Sequence, residues 1–305
     1  MADTVSSLYK YCSLDTGLKI LNSQTLRWSA PHLFGDPFEL NHTSDPQITS
    51  QGLLDVLLRE ALIMLFGPEA PTGRNNRLVN VMARWREQQK FIDEEQAHDV
   101  LQDLLGQIAK IQVDHVRTYM EEWRRYATVV RVASFSEAVD SLSCWERFAE
   151  NHQGIALRFD CGAGTSLPQP QRVTYAAQAA VITHKQEQLE VIYGRRPAPV
   201  AEEFHTKLLV KGRHHAGELE WRCFDQGNEE DATSDPSLWY DNWRFPAHEL
   251  RAVYCGVNVT DAQREPIARV LRASYPQARL YQAQPIAGRH ELAFSLVEKT
   301  LLGKS

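Results

Sequence analysis

The segment Glu-Leu-Glu-Trp-Arg at positions 218–222 decides the predicted fold. Charged and apolar side chains alternate along it, and this period of two predicts a β-strand over residues 218–224. Because alternate side chains of a strand point to the same face, Glu218, Glu220 and Arg222 are expected on one face and the apolar residues on the other. The sequence therefore predicts a sheet with one apolar face and one face that carries paired carboxylates.

The chain before this segment predicts further short strands mixed with helices. Residues 8–12 and 25–29 are expected to form strands, with a helix capped by Asp15 between them. β-branched and apolar residues predict a buried strand over 128–134, and another is expected over 154–160. This irregular order, with neither a GxGxxG nor a GxxxxGK[ST] sequence, is not typical of a Rossmann or P-loop fold.

The C-terminal half continues the same mixture of elements. Asp140 and Asp261 are predicted to cap helices, a further helix is expected over 201–211, and residues 227–236 read as a polar loop. Further strands are expected over 172–175, 250–256, 279–283 and 291–297. The predicted fold class is α+β, with a mixed, mostly antiparallel sheet.

Residues 47–127 differ in character from the rest of the chain. Leucine and other apolar residues recur there at helical spacing, which predicts several helices. The apolar pattern is not a sustained heptad, so a coiled coil is not expected. The predicted organisation is an α+β core domain made of residues 1–46 and 128–305, with a helical insertion over 47–127.

Composition limits the classes of protein to which the chain can belong. The 305 residues include 33 basic and 39 acidic side chains, a net charge of −6, which argues against a nonspecific nucleic-acid coat but not against a local basic cleft. The five cysteines form no CxxC pair, so a reducing compartment is expected. The sequence shows no signal peptide and no apolar run of membrane-spanning length, so a cytoplasmic protein without membrane partners is predicted.

Several ordered blocks resemble a known family. The blocks LYKY (8–11), LRWSAP (26–31) and FGDPFE (34–39) are similar to the start of the bacterial domain-of-unknown-function family 2971. That family usually has asparagine at the position of Gly35, and both residues tolerate the positive φ of a tight turn. The FGDPFE turn is interpreted as structural, with Asp36 capping it and Phe38 anchoring it, or else as a loop over an active site.

Three later blocks follow in the order of the same family. They are SFS (134–136) with WERFA (145–149) and HQG (152–154), Lys211 with ELEWR (218–222), and Phe245-Pro246 with VYCG (253–256). Phe148 stands where the family commonly has tyrosine. The resemblance covers most of the chain outside the helical insertion, but the family itself has no assigned function.

The paired carboxylates resemble a device of mono-ADP-ribosyltransferases. In those enzymes one glutamate holds a ribose hydroxyl of NAD and stabilises an oxocarbenium-like transition state, and a second can orient the acceptor. The resemblance implies catalytic roles for Glu220 and Glu218, since a strand holds a fixed anion more rigidly than a loop does. It also implies an ADP-ribosyltransferase-like split sheet. NAD would be consumed as a substrate, in a bacterial defence or toxin setting.

The same resemblance implies a binding site for the nucleotide. Lys10 or Arg27 would neutralise the pyrophosphate, and Ser29 would support the cleft. The full set of predicted cofactor-binding residues is Lys10, Tyr11, Arg27, Ser29, Asp36, His152 and Arg222. The expected partners are a nucleotide and a macromolecular acceptor, either protein or nucleic acid.

Other interpretations of these residues remain open. The charged face of the 218–222 segment is also typical of a solvated salt-bridge stripe. Asp36, Glu220 and Arg222 resemble, faintly, a metal-dependent nuclease site, although arginine is a poor base. His214 and His215 with Glu218 suggest a metal site without an evident third ligand, so no metal is predicted. The helical insertion would suit a non-catalytic binding or regulatory module.

Overall fold

The computed structural model describes residues 5–69, 71, 76–227 and 235–297, and the chain forms two compact units. The first unit is Met1–Glu39, Thr128–Ala180 and Leu208–Ser305, and it holds the sheet. The second is Leu40–Ala127 with Val181–Lys207, and it is helical.

The sheet unit confirms the predicted α+β class with a mixed, mostly antiparallel sheet. Its strands are β1 (Ser7–Cys12), β2 (Thr25–Ser29), β3 (Val130–Ser136), β4 (Ile155–Asp160), β5 (Gln171–Arg172), β6 (Thr174–Ala176), β7 (Val210–Gly212), β8 (Glu220–Gln226), β9 (Tyr240–Arg244), β10 (Leu250–Cys255), β11 (Arg279–Pro285) and β12 (Leu292–Leu296). Its helices are α1 (Leu14–Ser23), α5 (Leu142–Arg147) and α8 (Asp261–Ser274).

The strands of the large sheet follow the order β12-β11-β10-β4-β1-β3-β2-β9, and β8 pairs with β3 off this path. Strands β10 and β11 are parallel, and the other pairs of this sheet are antiparallel. A small separate sheet consists of β6 and β7 in parallel.

The sheet forks at β3. One edge of β3 pairs along its full length with β8, from Val130 opposite Gln226 to Ser136 opposite Glu220. The other edge is shared, since Ser136 pairs with Tyr9 of β1 and Val132 pairs with β2. Because two strands occupy opposite ends of a single edge, β1 and β2 must separate from each other, and the middle of β3 lies at the opening.

The two faces of the forked strands have opposite character, as period-two alternation requires. Leu26 and Trp28 of β2 and Trp221 and Cys223 of β8 belong to the main hydrophobic core, together with residues of α8 and β10. The opposite face carries Arg27, Ser29, Ser134, Ser136, Glu220 and Arg222. The apolar core therefore supports a polar surface at the fork.

The helical unit is formed by segments that are distant in sequence. It contains α2 (Ser50–Phe66), α3 (Arg77–Glu87), most of α4 (Glu94–Val129), α6 (Lys185–Ile192) and α7 (Phe204–Lys207). The predicted insertion ended at residue 127, whereas the structure adds Val181–Lys207 to this unit. The reason is packing: Tyr193 is fully buried among the α2 and α4 residues and donates to the Leu57 carbonyl at 3.0 Å.

Within the described ranges, α4 and the other helices are not apolar enough over a sufficient length to cross a membrane.

Three predicted helix caps are one or two residues away from the observed ones. The structure places Ser13, Ser141 and Thr260 at the N-caps, where Asp15, Asp140 and Asp261 were predicted. In each case the hydroxyl residue has extended backbone angles, and its oxygen accepts from an N–H of the first turn.

Two predicted elements differ more from the structure. The helix expected over 201–211 ends at Lys207, because Val210–Gly212 pairs with β6 instead. The strand expected over 218–224 begins at Glu220, since Glu218 closes a 3-10 turn (Arg213–Glu218) and Leu219 is left-handed with φ 47°. The polar loop predicted over 227–236 lies largely outside the described residues.

Two glycines in the blocks that resemble family 2971 have different steric surroundings. A Cβ on Gly154 would lie 2.2 Å from the Cys12 carbonyl oxygen and 2.8 Å from the Ala149 Cα. A Cβ on Gly35 would meet nothing within 4 Å, and Gly35 does not have the positive φ expected from the asparagine comparison. Gly154 is therefore required by close backbone approach, whereas Gly35 is not.

We predict that Gly154→Ala lowers the free energy of unfolding by about 2 kcal/mol, because backbone atoms must move to admit the methyl group. The matched variant Gly35→Ala should stay within about 0.5 kcal/mol of the parent protein. Denaturant unfolding of the two variants measures the difference. Equal stabilities would contradict the close approach at Gly154.

Candidate functional site

A cavity of about 290 Å³ lies at the fork of the sheet. Its walls come from β1, β2, β3 and β8, from the loop 34–39 and from α5. The residues used below are Lys10, Arg27, Ser29, Phe34, Asp36, Glu39, Ser134, Arg147, Phe148, Lys211, Glu218, Glu220 and Arg222. The cavity thus brings together the N-terminal strands and the ELEWR segment.

The guanidinium of Arg222 is the most deeply buried cation of the site, with 1% of the residue exposed. Its Nε donates to Glu220 Oε1 at 2.7 Å, which is possible because the two residues share a face of β8. Its two terminal nitrogens hold both oxygens of Glu39, at 2.7 and 2.8 Å, in a bidentate pair. A further bond goes to the Leu208 carbonyl at 2.6 Å.

Lys211 joins the two predicted catalytic carboxylates. Its Nζ donates to Glu218 Oε2 at 2.8 Å and to Glu220 Oε2 at 2.9 Å, and it lies 3.7 Å from Glu39 Oε1. Glu218 reaches this position from the 3-10 turn and not from the strand. The two carboxylates therefore meet at Lys211 even though the observed strand begins two residues later than the predicted one.

His215 connects the loop 34–39 to Glu218. Its Nδ1 lies 2.8 Å from Glu218 Oε1 and its Nε2 lies 3.2 Å from Asp36 Oδ2. Arg147, whose side chain is half-exposed, also contacts Glu218 Oε1 and the His215 ring. We call the buried set Asp36, Glu39, Lys211, His215, Glu218, Glu220 and Arg222 the charge cluster.

The two cations of the charge cluster keep the carboxylate of Glu220 ionised. Burial alone would raise the pKa of Glu220, but Arg222 and Lys211 outweigh burial and lower the pKa to about 2. Burial opposes the charge on Lys211, yet Glu220 and Glu218 raise its pKa above the usual value. The interpretation of Glu218, Glu220 and Arg222 as a solvated stripe is wrong, since each is at most 5% exposed.

The FGDPFE loop contributes two of the buried carboxylates. Asp36 caps the turn as predicted, because its Oδ1 accepts from the Phe38 N–H at 2.9 Å. Phe38 does not anchor the loop, since it is 71% exposed. The loop is held by Glu39 on Arg222 and by Asp36 on His215, and the ring of Phe34 lies 5.0 Å from the Arg222 guanidinium.

The structure places several of the predicted binding residues in the cavity walls. Lys10 donates to the Ser134 carbonyl at 2.9 Å, in the middle of the shared β3 edge, and burial lowers its pKa. Arg27 is exposed and lies 3.9 Å over the Tyr240 ring. Ser29 also lines the cavity.

Tyr11 lines the cavity, whereas His152 does not. The Tyr11 ring reaches the cavity, but its hydroxyl donates to the Ala138 carbonyl at 2.7 Å. His152 was predicted to bind the nucleotide, and the structure places it outside the cavity lining. It belongs to a left-handed turn, with φ 66°, and its ring stacks on Trp145 at 6.1 Å. The turn directs His152 towards α5 and away from the fork.

Sequence reasoning assigned no role to Glu39, Arg147, Lys211 or Tyr175 in the site. Glu39, Arg147 and Lys211 each lie within a block that resembles family 2971, and that resemblance is the sequence signal that could identify them. Tyr175 had no such signal: its hydroxyl accepts from the Glu220 backbone N–H at 2.7 Å, a contact that depends on tertiary pairing.

Among the described residues, no group of three His, Cys, Asp or Glu side chains has a geometry that could hold a metal ion. Comparison of the chain with family models, with curated proteins and with solved structures found no match.

The low pKa of Glu220 predicts a specific acid dependence. A carboxylate with a lowered pKa stabilises the fold above its unfolded value of 4.5, and this contribution is lost as the pH falls towards about 2. We expect Glu220→Gln to cost about 3 kcal/mol at pH 7, because Lys211 and Arg222 lose an ionised partner. The difference from the parent protein should shrink between pH 4.5 and 2.

Urea unfolding at several pH values measures this difference. The control variant Glu121→Gln changes an exposed carboxylate of α4 and should alter the free energy of unfolding by less than about 0.5 kcal/mol. A cost for Glu220→Gln that does not vary with pH would show that the ionised carboxylate is not what stabilises the cluster.

Proposed function

We propose that this protein transfers ADP-ribose from NAD to an acceptor. The observation that carries the proposal is the carboxylate of Glu220, which is buried, ionised and positioned on the wall of a cavity at the fork of the sheet. The fork also supports the split sheet that the resemblance to mono-ADP-ribosyltransferases implies. Lys10, Arg27 and Ser29 stand on the strands that open around this carboxylate.

The chemistry requires a fixed negative charge near the reacting carbon. The bond between ribose C1′ and the nicotinamide nitrogen breaks, its electron pair leaves with nicotinamide, and positive charge develops at C1′ and the ring oxygen. An acceptor oxygen or nitrogen then bonds to C1′ and loses its proton to solvent. A preorganised anion lowers the energy of the charged transition state, and it acts most strongly where water is excluded.

Glu220 suits the role of a fixed anion better than that of an acid or base. With a pKa of about 2 it carries no proton to donate at neutral pH and accepts one poorly. Its oxygens bond Arg222 and Lys211, one to each. A carboxylate offers about four acceptor positions, so positions remain for ribose hydroxyls.

The cavity walls offer groups for the rest of the dinucleotide. Lys10, Arg27 and Arg147 supply cations for a diphosphate. A metal-dependent nuclease has less support, because the carboxylates of Asp36 and Glu220 already bond His215 and Lys211.

The test is nicotinamide release from NAD by the purified protein. Glu220→Gln keeps the shape of the side chain but removes its charge, and we expect the rate to fall about 100-fold or more. The matched control is Glu249→Gln, which changes another buried carboxylate that binds Ser166 and lies outside the cavity lining.

Both variants are first checked for folding by circular dichroism and thermal unfolding. Full turnover by the control and loss of turnover by Glu220→Gln support the proposal. If folded Glu220→Gln consumes NAD as fast as the parent protein, or if the parent protein consumes none with any acceptor mixture, the proposed function is wrong.

A further inference from the structure

A second and larger cavity, of about 1130 Å³, lies beside helix α1. It meets the first cavity along a common wall formed by Lys10, Tyr11, Arg27, Ser29, Arg147 and Phe148. Its own lining includes Ser13, Thr16, Lys19, Asn22, Thr25 and Asn242. A molecule in this second cavity would therefore contact residues that also line the first cavity.

The two cavities differ in charge, because the lining of the first carries both cations and carboxylates whereas the lining of the second carries cations alone. The first contains the carboxylates of the charge cluster. The second is lined by the cations Lys10, Lys19, Arg27 and Arg147 and by hydroxyl and amide side chains, and none of its described lining residues is acidic. Such a surface attracts phosphate groups and disfavours cationic peptides, because low-dielectric walls concentrate the positive potential.

Two cations of the second cavity, Lys19 and Arg27, are available to a ligand. Lys19 pairs with Asp15 at 2.6 Å, but both side chains are 75% exposed, and such a pair contributes little. Arg27 is exposed, and its guanidinium carbon lies 3.9 Å from the centroid of the Tyr240 ring. Arg27 and Asn242 are directly opposite in the pairing of β2 with β9, so one ligand strand can contact both.

An aromatic side chain lies where the cavities meet. Phe148 lines both of them, and 43% of it is exposed. Unpaired bases stack on such side chains, while cations track the phosphates, and this combination is typical of single-strand binding. Paired bases of a duplex do not expose a face for that stacking.

From the charge, the lining and the exposed ring we infer that the second cavity binds the phosphodiester backbone of a single-stranded nucleic acid, which serves as the acceptor. This inference rests on the proposed function. A nucleophilic oxygen or nitrogen of the nucleotide that stacks at Phe148 forms the bond to C1′, nicotinamide leaves with the electrons of the broken bond, and the acceptor's proton passes to solvent.

The test is the binding of a fluorescent single-stranded oligonucleotide, as DNA and as RNA, to the full chain at several salt concentrations. Affinity should fall with salt, since each phosphate contact contributes about −0.7 to the slope of log K against log salt for single strands. Lys19→Glu should weaken binding and make the slope less negative by about 0.7. Its nicotinamide release in the absence of oligonucleotide should not change.

The matched control is Arg269→Glu. Arg269 is 74% exposed and forms an i,i+4 ion pair with Glu265 on α8, as Lys19 does with Asp15 on α1, but it lines neither cavity. It should bind the oligonucleotide like the parent protein. Equal effects of Lys19→Glu and Arg269→Glu would show only general electrostatic attraction and would overturn the site.

Further measurements separate the other possible occupants. If NAD displaces the oligonucleotide mole for mole, the second cavity is a donor site and the inference is wrong. Equal affinity for a phosphopeptide of the same charge would assign the cavity to proteins and would also overturn it. Loss of nicotinamide release in Glu220→Gln with retained oligonucleotide binding supports both proposals. If the protein consumes NAD but binds no oligonucleotide, the inference about the second cavity is wrong and the proposed function remains supported.

Discussion

The buried pair of Arg222 and Glu220 is the interaction on which the architecture of the site depends. Both groups lose their hydration on folding, so each requires an opposite charge at hydrogen-bond distance. Arg222 also requires Glu39, and Glu220 also requires Lys211, which in turn holds Glu218. The requirement for charge balance therefore fixes the loop 34–39, β7, the 3-10 turn and β8 in a single arrangement.

The fork gives this arrangement access to a ligand. Strands β1 and β2 occupy the two ends of one edge of β3, so the backbone between Val132 and Ser136 lacks a strand partner on that side. A buried carbonyl without a partner is costly, and the Lys10 ammonium satisfies the one at Ser134. The topology that opens the cavity therefore also places Lys10 inside it. Lys10 lies on β1, which is separated by β3 from Glu220 on β8.

The sequence predicted the local part of the site more fully than the tertiary part. Alternation along β8 correctly placed Glu220 and Arg222 on one face and Trp221 on the core, because period-two patterns are a property of the strand itself. The left-handed Leu219 could not be foreseen, since no glycine or asparagine marks it. The cationic partner Lys211 was visible as a residue, but its pairing with two carboxylates depends on how β7 docks beside β8.

The charge cluster is also the place where the sequence departs from the requirements of a stable core. Buried ion pairs are often replaceable by apolar side chains with no loss of stability, because desolvation offsets most of their attraction. The β8 face opposite Glu220 and Arg222 is built in that simpler way, from Trp221 and Cys223. Sites that break local rules at an energetic cost are expected where function requires it. The proposed function would account for the contrast between the two faces of one strand, because it requires a fixed anion on the face that lines the cavity.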